Sequence, residues 1–385
     1  MNGPAPFLAM NAPGNRVRVI PGDAPLDAPG WWPTWQPGHQ ALAVTRLIAD
    51  DPSPHAALHL CGLDGGDIEV PGSMSTPPAL IAEHIAHYAV WNRQGTALCY
   101  VMPAGRTLAA RVWRTGDAES TTLTGGTPIF VAWLPSGDRL ALHHGSTLEL
   151  FDVASDSRQR ISNAATGFRV PAISPDGQWL AFAEAAGGGT IVSVFRPTSG
   201  ELRAIGQFDG GVAMAFRPGT NVLTVGVTPV DEANAFHHVF AIDLDSPEPA
   251  RQLLMRGPIV AFWWAPGGER LAVLHPGSTG DGRVQLRFHS ASGAFERAME
   301  AISLSPDIRT LVAFFDQFVL SHALWSPDGS EFALAGRLLG DGLVASFADS
   351  PLDAVLVAGA DAAGPWRRAG TGTAGFFQPS EVNGR

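Results

Sequence analysis

Lysine is absent from this chain. All 25 basic residues are arginine, set against 36 acidic ones, for a formal charge of −11. An acidic surface without lysine argues against nonspecific binding to nucleic acid or to an anionic membrane. Cysteine is nearly absent too. Two in 385 residues, Cys61 and Cys99, exclude a disulfide framework, and in LHLCGL and ALCYV both read as small core residues. Charged residues are only 16% of the chain against 45% hydrophobic, which excludes global disorder and calls for a large core. No apolar run reaches the length of a membrane span. The opening MNGPAPFLAMNAPGNRVRV lacks the basic and apolar regions of a secretory signal, so the expected location is the cytoplasm, with no membrane insertion.

Glycine (44), proline (31) and tryptophan (11) are plentiful. The first two are scattered through the chain, as many short strands joined by turns require. Aligned with itself, the chain repeats one unit: an aromatic or apolar anchor, a proline turn with glycine, then an apolar strand. The copies are WQPGHQALAV from Trp35, WNRQGTALCYV from Trp91, WLPSGDRLALHH from Trp133 and ISPDGQWLAFAE from Ile173. FRPGTNVLTVG from Phe216, WAPGGERLAVLH from Trp264 and WSPDGSEFALAG from Trp325 complete the set. Spacings of about 40–60 residues are those of a repeat array or propeller. Proline presets φ at the turn and glycine tolerates positive φ, so each unit opens a β-hairpin. A second strand pair follows, as in GTIVSVFRPTSGELRAIG from Gly189. Each repeat is thus a four-stranded antiparallel unit that hides its two faces only by stacking on neighbours. The anchor tryptophans then pack between sheets.

These units resemble the TolB-like, WD-repeat-like Pro-Asp repeats of bacterial β-propellers, whose consensus is close to W-S-P-D-G followed by an apolar strand. Residues 173–183 and 325–335 match best; the other copies keep the skeleton and lose the aspartate. The resemblance implies an all-β fold, a single β-propeller of four-stranded blades over 1–385, and is nearly silent on function.

Seven copies are evident, and the ends supply more. Phe377-Gln378-Pro379-Ser380 reproduces Trp35-Gln36-Pro37-Gly38 and opens another inner strand, while residues 6–25 match the second and third strands of the unit at 139–154. The expectation is eight blades, the last built from about 1–34 plus 371–385 and closed by both termini, with seven blades as the alternative. Such a ring has no exposed edge and needs no second subunit, so a monomer is expected.

In a propeller the strand leading into each anchor is innermost. Residues four before the anchors are Trp31, His87, Ile129, Arg169, Val212, Val260, Ser321 and Thr373. Two insertions depart from the repeat, residues 66–90 and 298–322, and both feed inner strands bearing histidine. The first suggests a helical turn over 79–86. In the second, Ser305-Pro306-Asp307 reads as a helix start, and 307–318 as a short helix with Ile308, Leu311, Val312 and Phe315 on one face. As a lid or rim at the channel mouth, these segments would gather His87, Asp316 and His322 as catalytic candidates and Arg169, Gln317 and Ser321 as ligand-binding candidates. The bland reading makes the same residues capping and interblade groups.

Twelve histidines invite a metal, but His84 and His87, the pairs His143-His144 and His237-His238, and His275 show no compact ligand spacing. No cofactor is expected; a divalent cation is the one addition the enzyme reading would make. There is no G-x-S-x-G elbow, and Ser321 and His322 as strand neighbours would diverge. Glycine-rich stretches lie in turns without a following helix, so no phosphate cradle is read. The favoured function is therefore a non-catalytic scaffold that docks a protein or peptide on one face. The alternatives are a hydrolase or lyase with a His/Asp site at the channel mouth, and a small-molecule sensor.

Overall fold

A computed structural model of the chain describes residues 6–20, 26–49, 54–75, 80–81, 85–165, 169–230, 235–278, 280, 282–338, 353–361 and 364–379. Among them strands dominate, in six four-stranded antiparallel sheets and one sheet of eight strands. Within each four-stranded sheet the strands lie side by side in up-and-down order. No helix among the described residues is long and apolar enough to cross a membrane.

The repeat unit folds as its residues dictate. The amide of the turn glycine donates to the carbonyl three residues earlier, as from Gly95 to Asn92, Gly137 to Leu134 and Gly177 to Ser174. These glycines sit at φ near +70°, a region that costs side-chain-bearing residues. In the two best copies the serine hydroxyl closes the turn: Ser174 and Ser326 donate to Asp176 and Asp328 and accept from Trp179 and Glu331 amides.

Anchor tryptophans tie neighbouring sheets together. Trp35 Nε1 donates to Phe376 O at 3.0 Å, Trp133 to Val90 O at 3.0 Å, and Trp325 to Trp263 O at 3.2 Å. Each acceptor is the residue just before the anchor of the adjoining unit. The indole thus buries its ring between sheets and satisfies its N–H on the neighbour's inner strand. Cys61 and Cys99 are both buried free thiols.

The chain's two ends share a sheet. Ala374–Phe377 pairs antiparallel with Leu8–Ala12, Leu8 facing Phe377, and Arg16–Ile20 and Asp27–Pro29 complete it. Trp31–Trp35 already opens the next sheet. The eight-stranded sheet is a four-strand set and a three-strand set stapled by Ile302–Leu304, which pairs with residues 336–338 and touches Val284. Its second set begins at the irregular segment 323–325, bridged to Phe377 and Phe332.

The second insertion holds the helices: α1 (Pro306–Ala313) and α2 (Phe315–Phe318), separated by a break at Phe314. Ser305 caps α1, accepting from Ile308 N, with Pro306 in the first turn. The expected face of Ile308, Leu311, Val312 and Phe315 is buried. Of the helical turn expected over 79–86, the described residues Leu80, Ile81, Ile85 and Ala86 are non-helical, and 79 and 82–84 lie outside the described residues.

Candidate functional site: a plugged channel

The helical insertion lies inside the ring, where a rim had been expected. Its side chains reach strands of several sheets at once. Phe315 packs edge-on against Phe236, Phe262 and Trp263, with centroids 5.0–5.8 Å apart. Phe318 stacks on Trp32 at 5.4 Å and meets Tyr88 at 5.6 Å. At the far end Asp307 accepts from Asn11 Nδ2 at 2.9 Å and from the Thr373 hydroxyl. The reason is burial: an apolar helix face has more to gain in an aromatic channel than over a wet mouth.

Of the six candidates, the structure pairs Arg169 with Asp316. Arg169 Nη1 lies 3.2 Å from Asp316 Oδ1; the arginine side chain is 26% exposed and the aspartate 1%. Burial raises the Asp316 carboxyl above its ordinary range, opposed by the Arg169 charge. Oδ2 makes no hydrogen bond. The pair braces α2 against the inner side of the ring.

Ser321 and His322 do not diverge, because the chain turns there and forms no strand: Ser321 Oγ lies 2.7 Å from His322 Nδ1. The contact lacks the other parts of a nucleophile–base pair. His322 is wedged among Trp32, Phe318 and Phe376, and burial drives its pKa down to about 3, so it is a weak base at neutral pH. His87 is likewise held, Nε2 on Ser73 O at 2.7 Å and Nδ1 near Thr45 Oγ1 at 3.3 Å. Burial lowers its pKa to about 4. Gln317 is buried, and its backbone carbonyl accepts from Tyr88 Oη at 2.9 Å. No three His, Cys, Asp or Glu side chains converge to hold a metal among the described residues.

Sequence reasoning missed Asn11, Tyr88 and Trp32. Asn11 ties Asp307 to the Trp32 amide. Trp32 holds φ at +55°, strained for a bulky side chain, beside a register shift between Trp31 and Thr34. Across that bulge Trp32 stacks on Phe318 of the plug.

Below the plug, on the side where the anchor turns converge, lies a cavity of about 640 Å³. Its floor is the plug's trailing end, where Val319 and Leu320 are 41% and 40% exposed. Its walls include Trp35, Trp91, Trp264, Phe262 and Phe315. Its rim is a ring from the second residue after each anchor, five of whose members line it as prolines: Pro37, Pro135, Pro175, Pro218 and Pro379. A smaller space of about 170 Å³ lies elsewhere against the plug, lined by Arg169, Phe236 and Val312.

No family model matches the chain, and no curated protein matches it. Solved structures do. A prolyl endopeptidase superposes with a TM-score of 0.59 over 89% of this chain and 49% of that one, at 12% identity, so the chain spans about half that enzyme's length. An oligogalacturonate lyase in complex with manganese gives 0.52 over 86% and 84%, at 13% identity. TolB from Acinetobacter baumannii is also a neighbour, at 0.42 over 89% and 83%, with 13% identity. The likeness to the first two, at such identities, is likeness of fold. With the sheet topology, it defines an all-β protein of the β-propeller class.

Proposed function

We propose that the chain is a non-catalytic β-propeller that receives a protein or peptide partner on its turn face. The carrying observation is the cavity there: apolar, aromatic-walled, and floored by exposed Val319 and Leu320, as interface anchoring pockets are. The hydrolase or lyase alternative has less support, since the His87 and His322 imidazoles are buried, bonded and weakly basic. A small-molecule sensor is the second reading, favoured by a volume within the roughly 300–1,000 Å³ of ligand pockets. We take the architecture as eight blades in a single domain. The eight-stranded sheet counts as two blades joined by Ile302–Leu304, and the sheet shared by the two ends counts as one. The W-S-P-D-G units favour the TolB-like class among propellers.

Peptide display against the wild-type protein, counter-screened on a Val319→Asp, Leu320→Asp double variant, tests the binding site. Support would be peptides that bind the wild type at least about ten-fold more tightly than the variant. Peptides that bind both alike would move the partner to another surface.

A further inference from the structure

The ring at the cavity rim contains one exception. Two residues after the anchors the chain reads Pro37, Arg93, Pro135, Pro175, Pro218, Pro266, Pro327 and Pro379. Arg93 stands where every other unit has proline. It lines the same cavity, is exposed, and makes no hydrogen bond or ion pair among the described residues. The other charged residue of the lining, Asp316, is buried and already faces Arg169. Among the described residues the cavity therefore presents an apolar interior and a single unspent positive charge at its mouth.

We infer that Arg93 receives a carboxylate, and that the cavity's occupant is the carboxy-terminal end of a partner polypeptide with apolar last residues. This rests on the partner-binding reading above. A guanidinium matches a carboxylate with two parallel N–H donors. Apolar side chains of the last residues then fill the space over Val319 and Leu320. A cationic end group would meet Arg93 with like charge, and a neutral end would leave its fork without a partner. The turn itself does not require arginine: the Arg93 amide donates no backbone hydrogen bond among the described residues, and seven sister turns are built with proline.

The test uses a pool of pentapeptides randomised among leucine, isoleucine, phenylalanine and valine, labelled at the amino end. One half of the pool carries a free carboxy terminus and the other half is amidated. Retention is measured on the wild type and on Arg93→Gln and Arg93→Pro. The free-acid pool is expected to bind the wild type about ten-fold more tightly than the amide pool. Both variants should bring the acid pool down to the amide level while leaving the amide pool unchanged and the thermal midpoint no lower. Equal retention of acid and amide by the wild type would overturn the role of Arg93 and leave the cavity as a binding site. Retention of neither pool would overturn the partner reading as well. Decanoate competing as well as the peptide acids would replace a polypeptide end with a small fatty carboxylate, and would overturn the assignment of the occupant.

Discussion

At the scale of single residues, His322 has a structural task. Its ring lies 4.4 Å from Phe376 and 5.4 Å from Trp32 between centroids. His322→Ala should therefore leave a void and lower unfolding stability by about 2–4 kcal/mol, read from the urea midpoint; a loss below about 0.5 kcal/mol would contradict that packing role. The same burial sets a pH dependence. His87, His275 and His322 have pKa values near 4, 4 and 3, below the ordinary 6.5, chiefly because burial disfavours the charged ring. The unfolded chain takes up these protons first as acid is added. Their contribution is complete above about pH 6.5 and is lost as pH falls from there towards 4. Urea midpoints should thus fall between pH 7 and pH 5, and His322→Gln should fall less steeply than the wild type. Asp316 acts oppositely: its raised carboxyl favours the folded state while protonated, and that contribution is lost as pH rises from the ordinary carboxyl range through its own pKa. At the rim, Arg93→Pro should cost no stability and add up to about 1 kcal/mol, as proline does at a compatible turn position.

At the scale of elements, the plug decides what the channel can be. The Arg169–Asp316 pair holds it by one 3.2 Å contact, and a charge stranded by losing its partner costs more than the pair contributes. Arg169→Met alone should destabilise by about 1–3 kcal/mol, whereas adding Asp316→Leu should recover much of that loss. A double variant worse than the sum of the two singles would show that the carboxylate has another partner. The plug also marks where sequence reading succeeds and stops. Ser305-Pro306 and the spacing of Ile308, Leu311 and Phe315 announced a helix, because capping and periodicity are local. Its place inside the ring was illegible, since it depends on Phe236, Phe262 and Trp32, which are distant in the chain. The bulge after Trp31 was hidden for the same reason, and with it the stacking of Trp32 on Phe318. Arg93 is a different case. Its singularity stood in the aligned turns and needed only the cavity to give it meaning.

At the scale of the whole molecule, the repeat was the most legible feature. Each anchor, turn and hairpin is specified within about a dozen residues, and the end-to-end pairing followed from matching the leftover segments to the same unit. Ala374–Phe377 both completes a sheet and supplies the Phe376 carbonyl that takes the Trp35 indole. A chain ending at Gly372 should therefore lose its cooperative thermal transition or melt many degrees lower, by differential scanning calorimetry. An unchanged melting profile would mean that the ring does not depend on that strand.

That shared sheet also fixes an order of events. Leu8–Ala12 can find its inner partner only after Phe377 has been made. At roughly 5–20 residues per second of synthesis, the early strand waits on the order of 20–70 s with one edge unpaired. During that interval the nascent chain is a template for a neighbour's strand. The last contact to form is also the one with the longest loop to close, which makes it slow. The feature that seals the finished ring is thus the chain's main exposure to misassembly while it is being made.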